Sequence, residues 1–102
     1  MSYRLLIRDS ARIEYRLAAG WYAEKSKRAA SIFVARIEAM LESIRTDPFR
    51  FAIVDRDVRE AIVPKYPFAI YFRISDENEI RILAIFHTSR DPAELDSRIE
   101  TD

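Results

Sequence analysis

Two arginines and a histidine are the residues of this chain best placed to do chemistry. Arg73 and Arg81 interrupt two apolar runs, Pro67 to Ser75 and Ile80 to His87, separated by the acidic segment Asp76-Glu77-Asn78. His87 is the only histidine and ends the second run, with Arg90 and Asp91 close behind. A histidine there can move a proton near neutral pH, and guanidinium groups can steady a phosphate or a carboxylate. Both runs alternate with a period of two, so each reads as a strand that buries one face and aims cations from the other.

A three-residue turn between the runs sets a register. Phe68, Ile70, Phe72 and Ile74 then share a face with Ile80, Ile82, Ala84 and Phe86. Tyr71, Arg73, Arg81, Leu83, Ile85 and His87 fall on the other. In this register Arg73 and Arg81 oppose each other directly, which costs up to about 1 kcal/mol in a sheet. The turn carboxylates Asp76, Glu77 and Glu79 could offset it, and so could an external anion, either a nucleic-acid phosphate or an acidic partner segment. His87 likewise has two readings, as an acid–base group or as a side chain that bonds a loop carbonyl and sets the strand's exit. A lone histidine without cysteines is no metal-ligand set, so no metal is expected. One glycine in the whole chain leaves no phosphate-cradling loop, and no cofactor is expected. Arg56, Arg59 and Lys65 read as a solvated strand edge.

The elements that must position these groups follow from periodicity. Tyr3 to Ile7 reads as a first strand. A helix from Ser10 to Lys25, capped by Asp9 or Ser10, carries Ile13, Leu17 and Trp21 at four-residue spacing, with Ala11, Ala18 and Tyr22 widening the stripe. Gly20 inside it implies a close backbone approach. Trp21 and Tyr22 are either core or an exposed docking patch. A second helix runs from the Lys25-Ser26-Lys27 connection to about Thr46 on Ala29, Ala30, Phe33, Ile37, Met40, Leu41 and Ile44, and Asp47-Pro48 ends it. So short a connection makes the pair an antiparallel hairpin. Phe49 to Asp57 reads as an irregular loop and Val58 to Val63 as a strand. After Pro92, one helical turn at Ala93-Glu94-Leu95 is expected, followed by fraying. The sum is an α+β domain of order β-α-α-β-β-β, with the helix hairpin on one face of a small, mostly antiparallel sheet and the other face open.

The chain's 102 residues suit one domain spanning 1–102, with 49% apolar and 33% charged content. Seventeen basic against seventeen acidic residues exclude a protein that coats nucleic acid through bulk charge. The absence of cysteine removes disulfides and suits a reducing cytosol. No apolar run approaches the ~20 residues of a membrane span.

In order and spacing these residues resemble the RelE/ParE superfamily of toxins from type II toxin–antitoxin systems, and most of all its ParE branch, often labelled plasmid stabilisation proteins. The likeness rests on Trp21-Tyr22 before a long second helix, Asp47-Pro48 after it, Arg59, Tyr66-Pro67-Phe68-Ala69-Ile70-Tyr71, and the close Ile85-Phe86-His87-Thr88-Ser89-Arg90-Asp91-Pro92. It implies a cytoplasmic toxin held in a hetero-oligomer by a cognate antitoxin from a neighbouring gene. RelE-like members cut messenger RNA on the ribosome; ParE-like members poison DNA gyrase. Phe68 stands where the ribonucleases often carry arginine, and no tyrosine follows Tyr71. The resemblance therefore implies a binding toxin, with Trp21, Tyr22, Arg59, Tyr71, Arg73, Arg81, Leu83 and Ile85 meeting partners. The alternative is a ribosome-dependent endoribonuclease using His87 with Arg73, Arg81 and Arg90. A third reading is a degenerate member that keeps only antitoxin binding.

Overall fold

A computed structural model describes residues 3–76 and 78–102. Strand β1 (Arg4–Ile7) leads into helices α1 (Asp9–Lys25) and α2 (Lys27–Thr46). After a 3-10 turn at Pro48–Arg50 come β2 (Ile53–Asp55), β3 (Val58–Ile62), β4 (Phe68–Asp76) and β5 (Glu79–His87), then helix α3 (Pro92–Thr101). The sheet order is β1-β5-β4-β3-β2, antiparallel except for the parallel β1–β5 pair. The expected α+β hairpin-on-sheet architecture is present, with one more strand and one more helix than expected.

Helix α2 starts where Ser26 accepts the Ala29 amide at 2.9 Å, and stops at Asp47 ahead of Pro48. Its inner face, Phe33, Ile37, Leu41 and Ile44, is buried against Ile70 and Phe72 of β4 and Ile80, Ile82 and Ile85 of β5. Helix α1 begins differently from expectation. Arg8 occupies the cap position without a side-chain bond, and Asp9 already lies in the first turn, where its charge suits the helix dipole.

The large apolar stripe of α1 faces outward. Ile13, Leu17 and Trp21 are 51%, 69% and 55% exposed. The inward face is Ala11, Tyr15, Ala18 and Tyr22, which also recur at helical spacing. Small residues bring the α1 backbone close to its neighbours, and two tyrosine rings cover the rest. Gly20 belongs to the outer face, and a Cβ there would meet nothing within 4 Å. No close approach among the described residues explains it.

The 49–57 segment holds β2 as well as the 3-10 turn, because Arg59 gathers it in. Its Nη1 donates to the Phe51 carbonyl at 2.6 Å, and its guanidinium lies 5.1 Å from the Phe49 ring. Left-handed backbone at Arg56 (φ 52°) and Lys65 (φ 67°) makes the turns on either side of β3. The turn expected at Asp76-Glu77-Asn78 includes Glu77, which lies outside the described residues.

A β-bulge changes the β4–β5 register. Arg73 opposes Arg81 and Phe72 opposes Ile82 as expected, but Tyr71 then opposes Ala84, leaving Leu83 as the extra residue. One added residue exchanges the two faces from there on. Ile85 therefore joins the core under the helix hairpin, while Phe86 lies on the Tyr71 side, its ring 5.8 Å from that of Tyr71. The Tyr71 side is also covered rather than open. Helix α3 lays Ile99 and Leu95 against Val58, Leu83 and Tyr71. Asp91 caps α3 by accepting the Ala93 amide at 2.9 Å, and Pro92 pre-sets its first turn, so the segment is a helix where a frayed tail was expected.

The inverted exposure of α1 is directly testable. Replacing buried Ile37 by Ala should cost about 2–5 kcal/mol in chemical denaturation, whereas Leu17→Ala should stay within roughly 0.5 kcal/mol. Gly20→Ala should stabilise the fold by about 0.5–1 kcal/mol, since only helix propensity changes.

Candidate partner-binding site

The α1 stripe runs into a concave apolar pocket. Ala18, Trp21 and Tyr22 of α1 face Pro67 and Phe68 at the start of β4 and His87 at the end of β5, around a cavity of about 310 Å³. Behind it Tyr22 stacks on Phe33 with centroids 4.7 Å apart, and Tyr66 meets both rings edge-on. Trp21 stands against Tyr22 at 4.9 Å with the Lys25 ammonium 4.7 Å from its ring. Such rings offer large contact area at small cost in side-chain entropy. The pocket unites Trp21, Tyr22 and His87 from the sequence-derived set. Ala18, Pro67 and Phe68 complete it; the sequence offered Ala18 in the α1 stripe and the other two in the Tyr66-Pro67-Phe68 string.

His87 is held in one orientation. The Ser89 amide donates to Nδ1 at 3.1 Å, and the Ser89 hydroxyl lies 2.7 Å from the same nitrogen. An amide can only donate, so Nδ1 carries the lone pair and the neutral ring's proton is on Nε2. The ring stands edge-on to Phe68 at 5.3 Å. The bulge puts His87 on the hairpin face, opposite the side that carries Arg73 and Arg81. His87 is also six residues along β5 from Arg81, about 20 Å at strand rise. A single phosphate cannot touch both groups.

The remaining residues are engaged within the fold. Leu83 and Ile85 are at most 1% exposed, so neither forms the open surface expected of them. Tyr71 donates to Glu60 Oε2 at 2.7 Å, and burial, reinforced by that carboxylate, pushes its phenol up, away from proton transfer near neutral pH. Arg73 binds Asp57 (2.6 Å) and Asp102 (2.9 Å). Arg81 approaches Asp102 (3.2 Å) and Glu79 (3.7 Å). Among the described side chains the opposed arginines are thus offset by Asp57 of the β2–β3 turn and Asp102 after α3, with Glu79 the one expected contributor. Arg56 pairs with Asp55 and Asp96 while staying exposed, as a solvated edge residue would.

Arg90 belongs to a cluster that sequence reading missed. Glu14 of α1 accepts from Arg90 Nη1 (3.1 Å) and Arg98 Nη2 (2.8 Å) with Oε2, and from the Ile85 amide (3.1 Å) with Oε1. Arg98 Nη1 donates to the Leu83 carbonyl at 2.6 Å. Both guanidiniums lie over the Phe86 ring, at 4.5 and 5.2 Å. Glu14 lay among outward-looking polar residues and Arg98 in the segment expected to fray, so nothing in their spacing joined them.

Glu14→Ala should cost about 1–3 kcal/mol, because it strands a buried amide and removes the shared partner of two arginines. Native-state hydrogen exchange should show the Ile85 amide exchanging much faster than in the parent. The Arg73 guanidinium holds the Asp57 carboxyl below its ordinary value, chiefly through their hydrogen bonds. A depressed carboxyl adds stability above the unfolded pKa, near ~4, and loses it as pH falls through the folded value. Asp57→Asn should therefore flatten the acid limb of a stability-versus-pH curve, less so at high salt because Asp57 is largely exposed.

Solved structures share this arrangement of helices and strands. One chain, described as the chromosomal ParDE toxin–antitoxin system from P. aeruginosa, is 20% identical with a TM-score of 0.73, covering 84% of this chain and 96% of that one. Another, from the RelBE2 toxin–antitoxin complex of Mycobacterium tuberculosis, is 20% identical with a TM-score of 0.59, covering 85% and 99%. No curated protein sequence matches the chain. The model of the ParE toxin family, the toxin of the type II toxin–antitoxin system parDE, matches residues 5–92. With the helix hairpin and almost all of the sheet inside that match, the chain belongs to the ParE toxin family of type II toxin–antitoxin systems.

Proposed function

We propose that this protein is a toxin that acts in the cytoplasm by binding its target, DNA gyrase, and that a cognate antitoxin neutralises it by direct contact. The observation that carries the non-catalytic reading is the separation of the groups a nuclease would need. His87 lies on the hairpin face with its Nδ1 bonded to Ser89, whereas Arg73 and Arg81 lie on the α3 face. Arg90 is committed to Glu14 and Glu94. RNA cleavage needs cations and a proton carrier around one phosphate, within hydrogen-bond reach of it. The acid–base group and the sheet cations here do not converge.

The antitoxin's seat, in this reading, is the outward stripe Ile13–Leu17–Trp21 and the pocket that continues it. Exposed apolar side chains at i, i+4 and i+8 suit an amphipathic helix laid along α1, with one side chain entering the pocket. The structural relatives come from systems titled toxin–antitoxin, consistent with such a partner. Tyr71, Leu83 and Ile85 drop out of the proposed contact set because α3 and the hairpin cover them; Arg73 and Arg81 are treated separately below.

The test is expression in a bacterial host with and without the neighbouring antitoxin gene. Growth arrest with a DNA-damage response, inhibition of gyrase supercoiling by purified protein, and toxicity that survives His87→Ala are expected. Cleavage of ribosome-bound messenger with supercoiling untouched would overturn the gyrase reading in favour of the endoribonuclease. Unaffected growth would leave only antitoxin binding. Trp21→Ala should weaken antitoxin binding by about tenfold or more, the loss typical of a buried aromatic anchor.

A further inference from the structure

On the α3 face three arginines from three elements converge on one carboxylate. Arg8 comes from the β1–α1 junction, Arg73 from β4 and Arg81 from β5. Their Nη1 atoms lie 3.5, 2.9 and 3.2 Å from the oxygens of Asp102, whose side chain is only 4% exposed. We propose that Arg8, Arg73 and Arg81 form a binding site for a phosphate dianion or phosphomonoester, and that Asp102 occupies it as a stand-in from the same chain.

The carboxylate serves the three arginines unequally. Oδ1 is shared between Arg8 and Arg81 at long distances, and Oδ2 serves Arg73 alone. Among the described residues, Arg81 Nε is buried without a hydrogen-bond acceptor, with Glu79 at 3.7 Å. A buried donor left unpaired is costly, and two directly opposed arginines add to the cost. A planar group with two oxygens cannot resolve that geometry. A tetrahedral oxyanion has additional oxygens spread in three dimensions, and guanidiniums bind such groups through paired bonds.

Charge points the same way. Asp57 takes the outer side of Arg73, while Glu79, 3.7 Å from Arg81, pairs more closely with Arg4 at 2.7 Å. Asp102 is the carboxylate that Arg8, Arg73 and Arg81 share, so its withdrawal leaves a positively charged cradle. Anchoring α3 does not require Asp102. Ile99 is buried against Val58 and Leu83, and Arg98 is bonded to Glu14 and the Leu83 carbonyl. The cradle is separate from the Trp21–His87 pocket and stands whether or not the target is gyrase.

The experiment is calorimetric titration of inorganic phosphate into the parent protein, Asp102→Asn, and Asp102→Asn combined with Arg81→Gln. Circular dichroism would confirm that all three are folded. Asp102→Asn should bind phosphate roughly tenfold or more tightly than the parent, the factor one charge-assisted hydrogen bond is worth, and the added Arg81→Gln should abolish the gain. In the NMR spectrum the Arg81 Nε resonance should move on phosphate addition. Short oligonucleotides with a 5′-phosphate or a 5′-hydroxyl distinguish the source: preference for the phosphorylated end identifies a nucleotide terminus, and equal weak binding identifies the free ion. Asp102→Asn binding phosphate no better than the parent, or binding unchanged by Arg81→Gln, would overturn the proposal and leave the arginines as a fastening for α3.

Discussion

Strand β1 is too short for its neighbour, and much of the structure follows from that. It accompanies β5 only until Ile7 reaches Ile82, where Arg8 gives its amide to the Ile82 carbonyl and the chain departs into α1. Beyond that point β5 would present bare backbone at a sheet edge, and bare buried backbone is expensive. Two side chains fill the gap: Glu14 takes the Ile85 amide and Arg98 supplies the Leu83 carbonyl. Because Glu14 and Arg98 also bond each other, one clasp joins the first helix, the last strand and the last helix. It spans 84 positions of sequence, and the Phe86 ring beneath both arginines shields it from water on one side.

The same stretch of β5 contains the bulge, which separates what the sequence placed together. Before Leu83 the strand presents Arg81 to the α3 face; after it, Ile85 and His87 turn to the hairpin face. The domain therefore has two unlike sites on its two sides. One is an aromatic pocket continuous with an apolar helix stripe. The other is an arginine cradle that Asp102 fills. A pocket of rings with a single oriented histidine suits recognition of a polypeptide, and a cradle of guanidiniums suits an anion.

How much of this was legible depended on whether the signal was local. Helix α2 was readable because Ser26, the Phe33–Ile37–Leu41–Ile44 face and Pro48 all act within a few residues. The opposed pair Arg73–Arg81 was readable because a tight hairpin sets its own register near the turn. The exposure of α1 was not, since Ile13, Leu17 and Trp21 repeat as a core face would, and Ala11, Tyr15, Ala18 and Tyr22 repeat equally well. Only packing decides between two such faces. The bulge was invisible because the side chains that meet β5 there, Glu14 and Arg98, come from distant elements, α1 and α3. Helix α3 itself was within reach: Asp91-Pro92, then Leu95 and Ile99 four apart, is a start signal followed by a short stripe.

The central physical claim is that the Glu14–Arg98 clasp acts as one unit on the open edge of β5. A double-mutant cycle of Glu14→Gln and Arg98→Met, read by chemical denaturation, measures it directly. The expected coupling is about 1 kcal/mol or more, since each side chain is paired with the other and with the same strand. Additivity within roughly 0.3–0.5 kcal/mol would show two independent contacts and contradict the account.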